Sequence, residues 1–344
     1  MKQVVVAPLN WGLGHATRCI PIINALQKAN FTPVIASDGQ ALDFLNQEFP
    51  ELESIVLPSY KITYGKYLKL DLWRKLPTFL KVRKEEKQFL KEYTRANPVV
   101  GIISDNRFGA YVENIPSVYM THQVNVKAGI FTPLTSMVHH RIIRKFDECW
   151  IPDEEGSLYS GKLSKTTKKL NQKYIGILSR MKKTDTKKNI DILIVLSGPE
   201  PNRSRLETKF IRKFKNTSLN VYLIRGKVEK EVKSRSYDKL KTINFLLTEE
   251  LQMYLNKSKM VVCRSGYSSI MDLIASNQKA ILIPTKGQSE QAYLGKFLSE
   301  KKRFVFLKEG NIEGYQFNLD AIACESEIVQ KDFDLGLFGL FHGE

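Results

Sequence analysis

The sequence predicts an α/β chain made of two doubly wound domains that face each other across a crevice. Three observations carry this. At 344 residues the chain exceeds what one ordinary core needs. Short, nearly all-apolar β-branched runs alternate with helically spaced stretches, the pattern of a parallel sheet covered on both faces. That alternation lapses once, after Pro152, and then restarts.

In chain order, the first domain (1–155) has strands expected at Val4 to Val6, Thr32 to Ala36, Glu53 to Leu57, Val99 to Ser104, Ser117 to Met120 and Cys149 to Ile151. The first strand runs into NWGLGHATRC, residues 10–19. Gly12 and Gly14 there supply backbone freedom for a tight turn. His15 sits where a helix begins, because Ile20, Ile22, Ile23 and Leu26 keep helical spacing to about Asn30. Such a strand, glycine turn and helix N-terminus suit an anion or a reacting group. Residues 156–189, rich in serine, threonine and lysine, read as the connection. The second domain (190–330) has strands expected at Asp191 to Leu196, Asn220 to Ile224, Thr242 to Leu246, Lys259 to Cys263 and Lys279 to Ile283, with 331–344 as a tail. Both domains read as Rossmann-like, with the crevice as the ligand site.

The composition, 42% hydrophobic and 26% charged, is that of a soluble globular chain. No charged-then-apolar leader precedes the first strand and no uncharged run nears about 18 residues, so a cytoplasmic location is expected. Cys19, Cys149, Cys263 and Cys324 form no C-x-x-C pair, which fits a reducing compartment and signals neither zinc nor disulfides. The 53 Lys and Arg against 36 Asp and Glu give a net charge of +17, which favours a polyanionic partner. The excess is densest over residues 60–90, where Tyr60, Tyr64, Tyr67, Trp73 and Phe79 are interleaved with lysine and arginine. That mixture suits the inner, anionic face of a membrane, with the protein peripheral on it. No groove-reading module or stacking platform accompanies the charge, so nucleic acid is not an expected partner.

Two more glycine turns follow strands in the second domain. In DILIVLSGPEPNRS they are Ser197 and Gly198. In VVCRSGYSSIMDLIA, Arg264, Ser265 and Gly266 precede a helix whose start also holds Ser268 and Ser269. Hydroxyls and backbone N–H groups at a helix start, with an arginine beside them, suit a diphosphate, although Ser265 could equally be a helix cap. Three other matches fail on inspection. GSLYSGK, residues 156–162, has phosphate-loop spacing, but Leu163 replaces the hydroxyl that would hold Mg²⁺ and no strand leads into it. Asp332-Phe333-Asp334 reads as a solvated turn. Gly12-x-Gly14 with Asp38 imitates a dinucleotide fingerprint, but Thr17 replaces the third glycine.

Together the three turns resemble the nucleotide-sugar glycosyltransferases of the two-Rossmann-domain (GT-B) type. The nearest resemblance is to the family that adds N-acetylglucosamine to the lipid-linked peptidoglycan precursor, strongest over VVCRSGYSSIMDLIASNQKAILIPTKGQSEQAYL. It implies Ser197, Gly198, Arg264, Ser265 and Gly266 near the diphosphate and Leu247 and Thr248 against uracil. It also implies Asp272 on the ribose, Gln291 on the donor sugar, and Arg180 at a further donor-binding position. Two departures stand out: Asp272 is shorter than the family's usual glutamate, and Ala292 replaces the second of two paired glutamines. GLGHATRC is similar to the Gly-x-Gly-His-x-x-Arg-Cys turn of a related UDP-sugar hydrolase family, in which the histidine serves the chemistry.

These resemblances imply a UDP-sugar-dependent glycosyltransferase of cell-envelope glycan synthesis, with the donor as substrate, no further cofactor, and an acceptor that is lipid-linked or another glycan. A hydrolase or epimerase of the same fold is the alternative. A non-catalytic basic protein that binds nucleotide or nucleic acid is the alternative from another class. In an inverting transfer the acceptor hydroxyl loses its proton as it attacks the anomeric carbon, while the leaving diphosphate gains charge. His15 is the candidate base, since a helix N-terminus disfavours its cation. Asp105, in IISDNRFG, and His122, in YMTHQ, are the other catalytic candidates. With Arg264 and helix N-termini facing the diphosphate, no metal is expected.

Overall fold

The structure is a computed structural model that describes residues 2–60, 76–126, 132–165, 170–319 and 332–342. It divides into two compact units, Met1–Leu178 with Lys331–Glu344, and Ser179–Gln330. Each is built on one seven-stranded sheet.

In the first unit, strands β1 (Gln3–Pro8), β2 (Thr32–Ser37), β3 (Ser54–Val56), β4 (Val99–Asp105), β5 (Ser117–Met120), β6 (Glu148–Ile151) and β7 (Gln172–Tyr174) lie in the order β3-β2-β1-β4-β5-β6-β7, all parallel. Helices α1 (Leu13–Lys28), α2 (Gly39–Glu48), α3 (Leu76–Ala96) and α4 (Thr132–Ile143) connect them among the described residues. Val4, Val5 and Val6 are all fully buried, as are Ile102 and Ile103. Apolar side chains on both faces of β1 and β4 put these strands at the sheet's centre, which is why they read as unbroken apolar runs. Strand order reverses between them, so the carboxyl ends of β1 and β4 flank the position where such sheets hold ligands.

The second unit contains β8 (Ile190–Val195), α5 (Asn202–Phe214), β9 (Val221–Ile224), β10 (Ser234–Tyr237), β11 (Leu240–Ile243), α6 (Thr248–Lys257), β12 (Ser258–Arg264), α7 (Tyr267–Ala275), β13 (Ala280–Ile283), α8 (Ser289–Glu300) and β14 (Val305–Phe306). The order is β10-β11-β9-β8-β12-β13-β14, parallel except for the β10–β11 hairpin. Here the reversal falls between β8 and β12, the two strands that run into the expected glycine turns.

The division differs from the sequence reading at two places. Strand β7, inside the expected connection 156–189, extends the first sheet, and the units part at Leu178 and Ser179. The expected tail belongs to the first unit, because the 3₁₀ segment Leu335–Phe341 buries Phe338 and Phe341 against Phe31 and Trp150. A Cβ on Gly101 of β4 would lie 2.3 Å from the Phe341 ring, so the segment packs directly on strand backbone. Asp334 caps it, accepting from the Gly336 N–H at 2.9 Å, so this half of the D-x-D holds backbone.

The GSLYSGK stretch is likewise occupied by protein. The carboxylate of Asp153, fully buried, accepts the backbone N–H groups of Glu154, Tyr159 and Ser160. About half of the aromatic, basic stretch 60–90, residues 61–75 with Tyr64, Tyr67 and Trp73, lies outside the described residues. No described helix is long and apolar enough to cross a membrane.

Candidate functional site

In the first unit the site begins at the end of β1. Gly12, with φ 86°, is the left-handed residue that lets the chain turn into α1, whereas Gly14 lies inside the first helical turn and its carbonyl accepts the Thr17 hydroxyl. The turn thus needs one glycine, not the two expected. His15 follows in the same helical turn, 15% exposed.

His15 Nδ1 stands 3.1 Å from Asp105 Oδ1, at the end of β4. Arg18, one turn further along α1, grips the same carboxylate: its Nε donates to Oδ2 at 2.5 Å and its Nη2 to Oδ1. Arg18 Nη2 also lies 2.9 Å from His15 Nδ1, and its Nη1 lies 2.8 Å from Nδ1 of His122, two residues beyond β5. Asn106, with φ 60°, donates to Asp105 Oδ1 at 3.2 Å, and the Tyr119 hydroxyl stands 3.1 Å from both Asn106 Oδ1 and His139 Nε2. The three candidates His15, Asp105 and His122 therefore meet around one buried guanidinium. Sequence reading assigned Arg18 no role, although it stands in the GLGHATRC motif.

Asp105 is fully buried, and burial opposes its charge, but Arg18 and His15 hold the carboxyl down at about 2. It is an anion at any working pH. A carboxylate accepts only, so a proton on His15 Nδ1 would face Asp105 and leave Nε2 with a lone pair. Cys19, whose Sγ lies 3.9 Å from Asp105, has its thiol pushed well up by burial and by that carboxylate, so it is no nucleophile.

This carries a pH consequence. An unfolded aspartate titrates at about 3.9, so the depressed folded value contributes stability above that pH, lost as pH falls towards about 2. Asp105→Asn should flatten the acid side of the stability curve between about pH 4 and 2. Tryptophan fluorescence against pH reads this, because Trp11, Trp73 and Trp150 all belong to the first unit. An unchanged acid limb would remove the ionised pairing.

In the second unit, Gly198 after β8 has φ 101°, and a Cβ there would lie 3.8 Å from Thr285 Oγ1. Gln291 closes the same corner: its Oε1 accepts the Thr285 N–H at 2.8 Å and its carbonyl accepts the Ser265 hydroxyl at 2.8 Å. A Cβ on Gly266 would lie 4.0 Å from Gln291 Nε2. Gly198, Ser265, Gly266 and Gln291 therefore cluster at the carboxyl ends of β8, β12 and β13, with Ser197 beside Gly198 in the chain. Arg180 Nη1 donates to Thr248 Oγ1 at 3.0 Å at the start of α6, which Leu247 precedes. Ser179 donates to Asp272 Oδ1 at 2.6 Å. Burial raises the Asp272 carboxyl, against the pull of Arg180 and the Ser179 hydroxyl.

Arg264 departs from expectation. It is fully buried, with Nη1 bound to Glu309 Oε2 at 2.9 Å and to the Pro284 carbonyl at 3.1 Å, and Nη2 to the Asn202 carbonyl at 3.3 Å. Glu309 already neutralises it, so it braces the ends of β13 and α5 instead of presenting charge to a diphosphate. Ser265, for its part, bonds to Gln291 across the corner and does not act as a helix cap. Among the described residues no cluster of histidine, cysteine, aspartate and glutamate could hold a metal ion.

Residues 200–317 match the Glycosyltransferase family 28 C-terminal domain. No curated protein matches the chain in sequence. Among solved structures, MurG from Acinetobacter baumannii is similar at 10% identity and a TM-score of 0.55, over 91% of this chain and 89% of that one. The spinosyn rhamnosyltransferase SpnG, complexed with thymidine diphosphate, is similar at 11% identity and a TM-score of 0.60, over 91% and 90%. The calicheamicin glycosyltransferase CalG4 is similar at 10% identity and a TM-score of 0.60, over 91% and 87%. At these identities the likeness establishes fold, and the match over 200–317 takes in Ser265 and Gln291 of the corner and begins two residues after Gly198. Residues 200–317 thus resemble a glycosyltransferase family 28 C-terminal domain, in a chain of the GT-B fold.

Proposed function

We propose that this protein transfers a sugar from a UDP-sugar to an acceptor hydroxyl with inversion, using His15 as general base. The observation that carries the reading is the His15–Asp105 contact at the start of α1, a pairing that leaves Nε2 able to take a proton. In the reaction, the acceptor O–H proton passes to His15 Nε2 as the oxygen attacks the anomeric carbon. The bond from that carbon to the diphosphate oxygen breaks, and its electron pair leaves with the nucleotide. Asp105 stabilises the imidazolium that forms, while Arg18 keeps the carboxylate in place. The N-terminal ends of α5 and α7, reached through Gly198 and Gly266, offer backbone N–H groups to the developing phosphate charge, with no call on a metal ion.

Uridine is favoured by the resemblance at Leu247 and Thr248, and thymidine is the rival, since one structural neighbour holds thymidine diphosphate. Titration with UDP and dTDP, followed by assay of nucleotide release from a panel of their sugars, tests the reading. Release that rises with added acceptor supports the transferase. Acceptor-independent release makes the protein a hydrolase, for which the same base would activate water. Binding without turnover makes it a nucleotide-binding module.

The acceptor reading includes an anionic membrane surface. Lys84, Lys87, Lys91 and Arg95, on one face of α3, line a groove of about 640 Å³ with Asn114 and Gln88. Flotation with anionic vesicles should show binding that falls with salt and with Lys84→Glu and Lys91→Glu, each basic group being worth about 1 kcal/mol near such a surface. Binding indifferent to salt would make this face merely solvated.

A further inference from the structure

Arg18 touches both candidate histidines, His15 and His122, and the chemistry of a guanidinium restricts what His122 can be. We propose that Arg18 is a positioning residue that fixes the tautomer of His122, with the ring proton on Nε2. The proposal rests on the general-base reading for its consequence in catalysis, but not for the tautomer of His122.

A guanidinium has five N–H donors, no acceptor, and does not lose its proton. Arg18 Nη1 stands 2.8 Å from His122 Nδ1, so that nitrogen supplies a lone pair and the ring's proton lies on Nε2. A proton on Nδ1 would set two donors against each other with no oxygen between them. At His15 the contacts set no such restriction, since its Nδ1 lies 2.9 Å from Arg18 Nη2, a donor, and 3.1 Å from Asp105 Oδ1, an acceptor. Arg18, 3% exposed, thus holds His122 as a donor at Nε2.

The groups around the pair come from each neighbouring element: Arg18 and Cys19 on α1, Asp105 and Asn106 at the end of β4, Tyr119 on β5 and His139 on α4. Of these, Arg18 is the cation that contacts both rings. His122 is thereby kept from competing with His15 for the acceptor's proton, and the site has a single base.

Long-range ¹H–¹⁵N correlation spectra of the histidine rings test this on the whole protein. The wild type should show His122 as the Nε2–H tautomer. Arg18→Met leaves Asp105 buried without its cation and is poorly placed to fold, so Arg18→Met with Asp105→Asn is the informative variant. There His122 should populate both neutral tautomers and take up a proton within the ordinary histidine range. Arg18→Lys, a point charge that cannot bridge both rings, should keep less than a tenth of the turnover while nucleotide affinity stays within twofold. A His122 ring with Nδ1–H in the wild type, or one unchanged in the double variant, overturns the proposal. A His15 ring with Nε2–H and a His122 ring as expected would instead overturn the base reading and leave this one standing.

Discussion

His15→Ala is expected to lower kcat by roughly 10² to 10⁴, the usual contribution of a general base, while nucleoside diphosphate affinity changes less than about twofold. The separation follows from where the groups lie. His15, Asp105 and Arg18 belong to the first unit, and every candidate contact for the nucleotide lies in the second. His15→Gln should behave like alanine, because an amide cannot take the proton. Asp105→Asn should also lose turnover, since an amide can donate to Nδ1 and favour the opposite tautomer of His15. Turnover and nucleotide titration on each variant, with a thermal melt to establish folding, decide the matter. Full turnover in both His15 variants would reduce the residue to a structural part of the helix start. Lost nucleotide binding would place the turn in the nucleotide site.

What could be read from the sequence divides along a physical line. β1, β4, β8 and β12 were legible because central parallel strands are apolar on both faces, as Val4 to Val6, Ile102 and Ile103 are. β7, β10 and β14 were not, since each lies at or beside a sheet edge; Ser234–Tyr237 is exposed at every residue and carries no apolar signal. The site divides similarly. His15, Asp105 and His122 could each be named from their places after strand ends, but their meeting depends on register between β1, β4 and β5. Arg18 was marked by the GLGHATRC motif but its role was not legible, because its burial and its contacts with Asp105 and His122 are tertiary. Arg264 misled for the converse reason: an arginine after a strand suits phosphate until Glu309, 45 residues on, is folded against it.

The largest stability effect should come from Arg107, which no motif marks. It is fully buried, with Nη1 on Asp38 Oδ1 at 2.8 Å, Nε on Glu86, and Nη2 on the Pro58 carbonyl at 2.6 Å. Glu86, also fully buried, accepts in addition the Gly109 N–H at 2.8 Å and the Tyr60 hydroxyl at 2.5 Å. Burial and that carboxylate push the Tyr60 phenol far up, so it remains a donor. Arg107→Met would leave two carboxylates in the interior without a cation, and breaking a buried pair from one side costs about 3 to 5 kcal/mol. Glu86→Gln added to Arg107→Met should recover part of that loss, because the amide keeps a donor and acceptor there without a charge. Urea unfolding followed by tryptophan fluorescence reads the first unit alone, all three tryptophans lying in it. The effect should reach the site as well: Asp38 accepts from Asn10 Nδ2 at 3.2 Å, and Asn10 Oδ1 in turn accepts the Ala41 N–H at 3.4 Å. Asn10 stands two residues before Gly12, so loosening Asp38 loosens the turn that carries His15. Arg107→Met that still folds should therefore lose turnover as well as stability. A loss below about 1 kcal/mol, the scale of an exposed pair, would mean that water reaches Glu86 and Asp38.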